Sequence, residues 1–459
     1  MSTTDLYIDS EEAKNFIEET KKLDGLYKFG YEEGAYYGVC PYISFYVLAN
    51  KDEMPPDDVR EVPDFLPHAR ERMINKVIDL HHALEKLVDR PYVKMLKNST
   101  EVWFKVGDKR LPYGPEALRE EGLKAITKDQ SFWLQATDQD NPNSSARWAF
   151  DGRVAHNPRM RFTTVKITFR HGWYLENQAT WRAFVKKALE ILEPEQCYSG
   201  FEMGSGCGGF DGGYEAGVME RLCAEHFYGV DIDHPSNMGF HNRYDKEGYI
   251  DWSALDAGLR TPTWCFLLSP YWMERLNLTE EALYQHFAGQ SVQIQPIRRS
   301  DGKRSYWIEL GDLALHPVDK GLPEMLVAAN RLIKPVRCDH LELTSLDAWE
   351  DDPNPRFDAI SGPRWMSRFD EDSLWPNAEV RAKPLPPTAP ERPPTLSAAP
   401  GSVCPKEGLW FAPHLRMKEI RMKQGETFPT ESHGPTGAVT WYYRDGQDLG
   451  AAGAPGAGV

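Results

Sequence analysis

The sequence predicts an α+β fold, in which a mixed β-sheet is built from strand–helix–strand units, is flanked by helices, and is followed by a small strand-rich module. Strand, polar loop, helix and strand patterns follow one another from Tyr42 to Val106 and again from Phe162 to Met203. A looser version of the same order begins at Trp264. Because helices bury their apolar faces against a sheet, this order favours a layered fold.

The clearest of these patterns lies in the middle of the chain. A short apolar run from Trp264 to Leu268 predicts a buried strand, and a short helix is expected from Tyr271 to Leu276. Two β-favouring runs, Val292 to Ile297 and Ser305 to Leu310, are separated by a loop that contains Asp301-Gly302. Since Asp-Gly readily adopts the positive φ angles of a tight turn, these runs predict a hairpin.

The remaining elements follow from hydrophobic spacing and from helix-capping residues. We expect an acidic first helix that is capped near Ser10 and stopped by Gly25. Further helices and strands are predicted by apolar residues at helical spacing or by alternation. The predicted helices span 66–88, 179–192 and 214–226, and a further helix carries Met325 to Ile333 and ends before Pro335. The predicted strands span 42–48, 102–106, 132–136, 147–150, 162–169 and 198–203.

Changes in composition divide the chain into five predicted segments. A proline-rich stretch after Asp372 is almost free of large apolar residues, which is typical of a stiff linker. We predict an acidic helical lead over 1–40, an α+β domain over 41–382, the linker over 383–402, a small Trp-containing β-rich module over 403–445, and a disordered tail over 446–459.

Charge and cysteine usage narrow the possible functions. The 459 residues carry a formal net charge of −16, which disfavours direct nucleic-acid binding and suits a basic protein partner. No apolar run is long enough to cross a membrane, and the polar N-terminus does not resemble a signal peptide. The seven cysteines are scattered without a C-x-x-C pair, so we expect reduced thiols in the cytoplasm.

A glycine-rich stretch offers a possible cofactor site. Gly204, Gly206 and Gly209 fit the pattern G-x-G-x-x-G, and Asp231 follows at the end of a possible second strand. Glycines in this position let a phosphate or sulfonium cofactor approach backbone N–H groups, while the acidic residue can hold a ribose hydroxyl. The stretch is similar to the glycine-rich motif of S-adenosylmethionine-dependent methyltransferases, which implies a methyltransferase as an alternative function.

Two features favour a plain loop over a cofactor site. The presumed first strand lacks the Val/Ile-rich run of a central parallel strand, and Phe210 to Gly213 separates the glycines from the following helix. We therefore predict no cofactor. Asp231, Asp233, His234 and His241 could gather a metal, but a turn closed by Pro235 is the simpler interpretation, and no metal is predicted.

Several motifs resemble a known family. The run TWCFLLSP at 263–270 is followed by MERL at 273–276, by the predicted hairpin and by RLIKPVR at 331–337. WMSRFD at 365–370 has the form W-x-x-R-F-D. Together these motifs resemble the bacterial type VI secretion immunity family of the TsiV kind, which began as a domain of unknown function. The resemblance covers about residues 42–372, and its motifs are structural, not catalytic; the glycine-rich loop and the C-terminal module depart from it.

The resemblance implies a cytoplasmic immunity protein, not an enzyme, that binds and neutralises a cognate secreted effector by occlusion. The resemblance further implies that this effector is a nuclease toxin. The acidic charge is compatible with such a partner, since a nuclease is basic around its DNA cleft and an acidic inhibitor gains fast, steered association with it. Whether the free chain is a monomer or a dimer stays open, and an adaptor that loads effectors onto the secretion apparatus is a further alternative. Aromatic residues beside acidic loops are the predicted contacts: Trp349, Glu350, Asp351, Asp352, Asp370, Glu371, Asp372 and Trp375.

Overall fold

The computed structural model describes most of the α+β region and part of the C-terminal module. The described residues are 10–28, 36–48, 67–98, 102–111, 113–128, 130–154, 162–204, 213–235, 238, 255, 258–338, 357, 361–373, 375–376, 396–412, 418–430, 433–434 and 437–444. The chain divides into two compact units: residues 1–241 with 252–381, and residues 242–251 with 382–459.

Nine α-helices lie in the described part of the first unit. They are α1 Glu11–Thr20, α2 Pro67–Glu85, α3 Pro115–Thr127, α4 His171–Leu192, α5 Gly213–His226, α6 Pro270–Arg275, α7 Glu280–His286, α8 Glu324–Ile333 and α9 Ser361–Met366. Short 3-10 turns cover Val318–Lys320 and Lys334–Val336. The Ser10 side chain accepts a hydrogen bond from the Ala13 amide at 3.1 Å, so α1 is capped as predicted.

Thirteen described strands belong to the same unit. They are β1 Tyr27–Lys28, β2 Tyr36–Tyr37, β3 Val39–Leu48, β4 Lys94–Lys97, β5 Val102–Lys105, β6 Phe132–Thr137, β7 Ala149–Val154, β8 Phe162–Thr168, β9 Gln196–Met203, β10 Val230–Asp231, β11 Cys265–Leu268, β12 Gln293–Arg298 and β13 Arg304–Glu309.

Eleven of these strands form one large sheet, in which ten follow one another in the order β12-β13-β11-β9-β3-β8-β7-β6-β4-β5 and β10 is attached to β9 beside this path. The pairings along this order are antiparallel, whereas β10 pairs with the C-terminal part of β9 in parallel. The sheet is therefore mixed, and the predicted α+β class with a helix-flanked mixed sheet is confirmed. Strands β1 and β2 form a separate two-stranded ribbon.

The two faces of the sheet differ in chemistry. Ile43 on β3 pairs with Ile167 on β8, which pairs with Phe150 on β7, so these apolar side chains share one face. Helix α2 packs on this face so closely that a Cβ at Gly152 would lie 2.5 Å from the Val77 side chain. On the other face, Ser44 of β3 pairs with Lys166 of β8, which begins a buried polar cluster.

The second unit contains a small β-sheet of its own. Its described strands are β14 Ser397–Ala398, β15 Gly408–Ala412, β16 Lys418–Met422, β17 His433–Gly434, β18 Gly437–Ala438 and β19 Trp441–Arg444. Four of them pair in the order β14-β19-β15-β16, and the buried rings of Trp410, Phe428 and Trp441 form the centre of its core. This strand-rich character agrees with the sequence prediction.

The helices of the structure can be compared with the requirements of a membrane span. Among the described helices, none combines the length and the apolar character that a bilayer span requires. The predicted disordered tail over 446–459 and most of the predicted linker lie outside the described residues.

Candidate functional site

The polar face of the sheet carries a buried ionic cluster where β10 joins β9. The alternation of β3 places Tyr42, Ser44 and Tyr46 on this face, and all three side chains are buried. Asp231 at the end of β10 and Asp233 just beyond it reach the same place. The Tyr42 hydroxyl donates to Asp231, and the hydroxyls of Ser44 and Tyr46 donate to Asp233.

Arg260 joins the two aspartates. Its guanidinium lies 2.9 Å from Asp231 Oδ2 and 3.1 Å from Asp233 Oδ1, and it also donates to the Ile232 carbonyl at 2.8 Å. The Arg260 side chain is fully buried and stacks over the ring of Tyr198 at 4.1 Å. One arginine cannot neutralise two carboxylates by itself, and two further cations lie near: Lys166 is 3.9 Å from Asp233 and Arg368 is 3.8 Å from Asp231.

A second ion pair lies beside the first. Lys166 Nζ is 2.6 Å from Glu202 Oε2 and donates to the Asp233 carbonyl at 2.7 Å. Burial raises the pKa of Glu202 to about 8, although Lys166 opposes the shift. The other carboxylate oxygen of Glu202 is buried without a hydrogen-bond partner among the described residues. Burial would raise the pKa of Asp233 as well, but Arg260 and Lys166 outweigh it and lower that pKa.

The cluster extends to helix α5 and to the closing segment of the unit. His234 Nε2 lies 3.0 Å from Glu220 of α5, and this carboxylate raises the pKa of His234 against the effect of burial. Arg368, two residues after α9, lies over the Trp365 ring at 4.1 Å and 3.8 Å from Asp231. Burial lowers the pKa of Arg368 to about 9. The cluster thus ties α5, residues 258–260 and the WMSRFD segment to the sheet.

Two of the four residues of the possible cofactor site, Gly204 and Asp231, lie in or beside this cluster. Strand β9, helix α5 and the parallel strand β10 follow one another as the glycine-rich interpretation requires. Gly204 is buried and Asp231 is bound by Arg260 and Tyr42, so the carboxylate that a ribose would need is already engaged. Gly206 and Gly209 lie outside the described residues. The residues present therefore fit a structural role better than a nucleoside site.

A metal site is not formed by the predicted residues that can be described. Asp231 and Asp233 bind Arg260 while His234 binds Glu220, and His241 lies outside the described residues. Within the described part of the chain, no group of three His, Cys, Asp or Glu side chains is arranged to hold a metal ion.

The structure describes four of the eight predicted partner contacts. Trp349, Glu350, Asp351 and Asp352 lie outside the described residues. Asp370 binds Arg337 at 2.8 Å and Lys334 at 3.0 Å and accepts from Asn330 at 2.7 Å, so it anchors the closing segment to α8 and the turn after it. Hydrogen bonds and charge from these partners outweigh burial and lower the pKa of Asp370.

The other three predicted contacts divide by exposure. Glu371 and Asp372 are exposed, and Glu371 also pairs with Arg331, so a contact role for them stays a prediction. Trp375 is only 3% exposed; its ring stacks on Phe357 and its indole N–H donates to the Ala224 carbonyl at 3.2 Å. Trp375 therefore supports the core and is not available at the surface. Trp365 and Phe369 of the same segment are buried as well.

Exposed tyrosines were not singled out from the sequence. Among the described side chains, four aromatic residues are substantially exposed, and two of them, Tyr271 and Tyr284, lie on the neighbouring helices α6 and α7. The sequence does contain a signal for their exposure. Each tyrosine is the direct neighbour of an apolar residue, Trp272 or Leu283, that its short helix buries.

Comparison with known proteins shows a likeness in fold. The sequence matches no protein-family model and no curated protein. In its fold, the chain is similar to the Pseudomonas aeruginosa T6SS protein PA0821, with a TM-score of 0.54 and 15% sequence identity. The likeness covers 74% of this chain and 85% of that one. At this identity it establishes a shared fold.

Proposed function

We propose that the chain is a type VI secretion immunity protein that binds a cognate effector and neutralises it by occlusion. The observation that carries the proposal is the fold likeness to a T6SS protein over 74% of the chain. It agrees with the sequence motifs at 263–276, 331–337 and 365–370, which resemble the TsiV-type immunity family.

The chemistry of the chain supports binding as its mode of action. The buried carboxylates of the ionic cluster are held by Arg260 and Lys166, and their role is to fix β10 and the closing segment to the sheet. The net charge of −16 would accelerate encounter with a basic partner such as a nuclease, whose cleft must attract DNA. The proposed protein acts without catalysis, in the cytoplasm where a nuclease toxin finds its substrate.

Co-expression with the product of the neighbouring gene tests the proposal. Cells that express this product alone should lose viability, and expression of the chain should restore viability to the level of a control that carries a catalytically dead toxin. Unchanged toxicity at equal protein levels would contradict an immunity function.

A methyltransferase is the second candidate, because β9, α5 and β10 form the strand–helix–parallel-strand order of the glycine-rich motif. It predicts micromolar binding of S-adenosylmethionine that Gly206→Val abolishes. Calorimetry that detects no heat with the wild-type chain would dispose of this candidate.

An adaptor is the third candidate, and the second compact unit, formed by residues 242–251 and 382–459, favours it. It predicts that residues 408–443 bind structural proteins of the secretion apparatus. Loss of this binding in Trp410→Ala, in a chain whose main unit unfolds normally, would support the adaptor; binding that the substitution leaves intact would count against it.

A further inference from the structure

We propose that residues 270–286, which carry α6 and α7, form the surface that contacts the basic partner. This inference rests on the proposed immunity function and names the contact surface, which that function leaves open. Three properties of the segment support it: two exposed tyrosines, a rigid buried base and an excess of negative charge.

The tyrosines are the first property. Tyr271 is 40% exposed and Tyr284 is 42% exposed. Tyrosine is enriched among the residues that dominate binding energy, because a large flat ring with a polar tip loses little conformational entropy on binding. Tyr271 is also held in place: its ring packs edge-on against Trp272, and the Arg275 guanidinium lies 5.6 Å from the ring centroid and donates to its hydroxyl at 3.3 Å.

The buried base is the second property. Trp272 and Leu283 are completely buried, and Met273 is 8% exposed. The Leu278 amide donates to the Met273 carbonyl at 2.9 Å, and Thr279 caps α7 by accepting from the Ala282 amide at 3.2 Å. Because the backbone of the segment is fixed, the tyrosines are presented with little ordering cost on binding.

Charge is the third property. The segment contains Glu274, Glu280 and Glu281 against the single Arg275. Glu280 is paired with Arg304 at 3.1 Å, which leaves Glu274 and Glu281 as exposed acids. Hydrogen bonds from its own backbone N–H and from Thr279 lower the pKa of Glu281, so it stays ionised. Acids beside aromatic anchors are complementary to a basic protein.

The other exposed tyrosines lie outside residues 270–286 and provide a matched control. Tyr36 is 43% exposed and Tyr113 is 42% exposed. Tyr113 lies near Lys109, whose charge would repel a basic partner, while the neighbouring Arg110 is paired with Asp108. Replacement of these two tyrosines therefore removes the same exposed area without touching the proposed surface.

Calorimetric titration with the purified product of the neighbouring gene tests the surface. The double variant Tyr271→Ala/Tyr284→Ala should bind at least about 30-fold more weakly than the wild-type chain, which is the typical effect of losing an aromatic anchor. Tyr36→Ala/Tyr113→Ala should bind within about threefold of wild type, as expected for exposed residues outside an interface.

The outcomes separate this inference from the proposed function. A wild-type chain that does not bind would overturn the immunity function and this surface with it. A wild-type chain that binds, together with a Tyr271→Ala/Tyr284→Ala variant that binds equally well, would overturn the surface alone. A larger loss of affinity in Tyr36→Ala/Tyr113→Ala than in Tyr271→Ala/Tyr284→Ala would also overturn the surface alone.

A charge test uses a second pair of variants. Glu274→Lys/Glu281→Lys should slow association with the same partner at least about tenfold at low salt, because steering depends on local charge. The charge-matched control Glu116→Lys/Glu120→Lys replaces exposed acids of α3 and should slow association less. Equal slowing in both pairs would show that only the net charge matters and would overturn the assignment.

Discussion

Single residues decide how β10 and the residues after it are held on the sheet, and Arg260 is the most consequential of them. It satisfies Asp231 and Asp233 on one side and stacks on Tyr198 on the other, all within a region without access to solvent. A buried cluster of this kind adds little stability in comparison with an apolar core, but it fixes one arrangement because a broken pair leaves an uncompensated charge.

Replacing Arg260 should be severely destabilising. Arg260→Met leaves two buried aspartates with one cation fewer, and we expect a loss of about 3–5 kcal/mol in the free energy of unfolding. Unfolding in urea, monitored by fluorescence, measures this change in the free energy of unfolding. As a control, Arg119→Met removes a surface pair with Asp79 and should cost less than about 1 kcal/mol. Similar losses in the two variants would contradict the role of the cluster.

Glu202 should make stability depend on pH. Burial raises its pKa from 4.5 to about 8 in the folded chain, so the folded state binds this proton more tightly than the unfolded state. The resulting stability is complete below the unfolded pKa and is lost as the pH rises through the folded pKa. Between these values, wild type should lose up to about 1.4 kcal/mol per pH unit relative to Glu202→Gln. A constant difference between the two proteins from pH 5 to 8 would refute the shift.

For single residues, the sequence reveals which side chains could take part in a polar site, but it does not reveal which residues pair with them. Asp231 was recognised as a possible ribose ligand, yet Arg260 and Tyr42, which occupy it, come from distant parts of the chain. Likewise, β9 was expected to be a poor central strand because it lacks Val and Ile, but it is buried along its whole length. Several of its polar side chains bind partners from distant parts of the chain: Gln196 donates to the Leu255 carbonyl at 3.0 Å, and Ser199 donates to the Tyr42 carbonyl at 2.5 Å.

Among the elements, the hairpin β12–β13 exposes one edge of the large sheet. The Leu310 amide donates to the Trp264 carbonyl, and the Arg299 amide donates to the Lys303 carbonyl. By the alternation of antiparallel hydrogen bonds, residues 294, 296 and 298 therefore direct their backbone groups away from β13. Pro296 lies in the middle of this edge, where it removes a donor that another strand could use.

Restoring that donor should promote self-association. Pro296→Val gives the edge an additional N–H and a β-favouring side chain, so we expect a higher proportion of dimers or aggregates at equal protein concentration. Light scattering after size separation measures this. Gln295→Val, which adds the same side chain at a position whose N–H already faces β13, is the control. No difference between the two variants would argue against a protective role for Pro296.

Elements with strong local signals were predicted well, whereas weakly patterned ones were not. The hairpin agrees within one residue because Asp301-Gly302 and the flanking β-favouring runs are local features. Helix α3 was not predicted, since its buried positions include Glu121 and Gly122 and its apolar face is poorly defined. Helix α4 spans His171–Leu192 with a non-helical residue at Asn177; the helix predicted from Ala179 to Leu192 is the part after this kink, and only the turns before it were missed.

For the whole molecule, net charge is the property that would govern the rate of association with the proposed basic partner. The formal net charge of −16 produces a long-range field that is screened over about 10 Å at 0.1 M salt. With a basic partner, the association rate constant should fall about tenfold or more between low and high salt, while the dissociation rate changes less. Stopped-flow mixing at several salt concentrations measures both. A rate that is insensitive to salt would contradict electrostatic steering.

Complex formation with the product of the neighbouring gene tests the central proposal most directly. Gel filtration of the two purified proteins with light scattering should give a single stoichiometric species whose mass is the sum of its components, and whose toxin activity is lost. Two separate peaks at micromolar concentrations, or a complex in which the toxin remains fully active, would contradict neutralisation by occlusion.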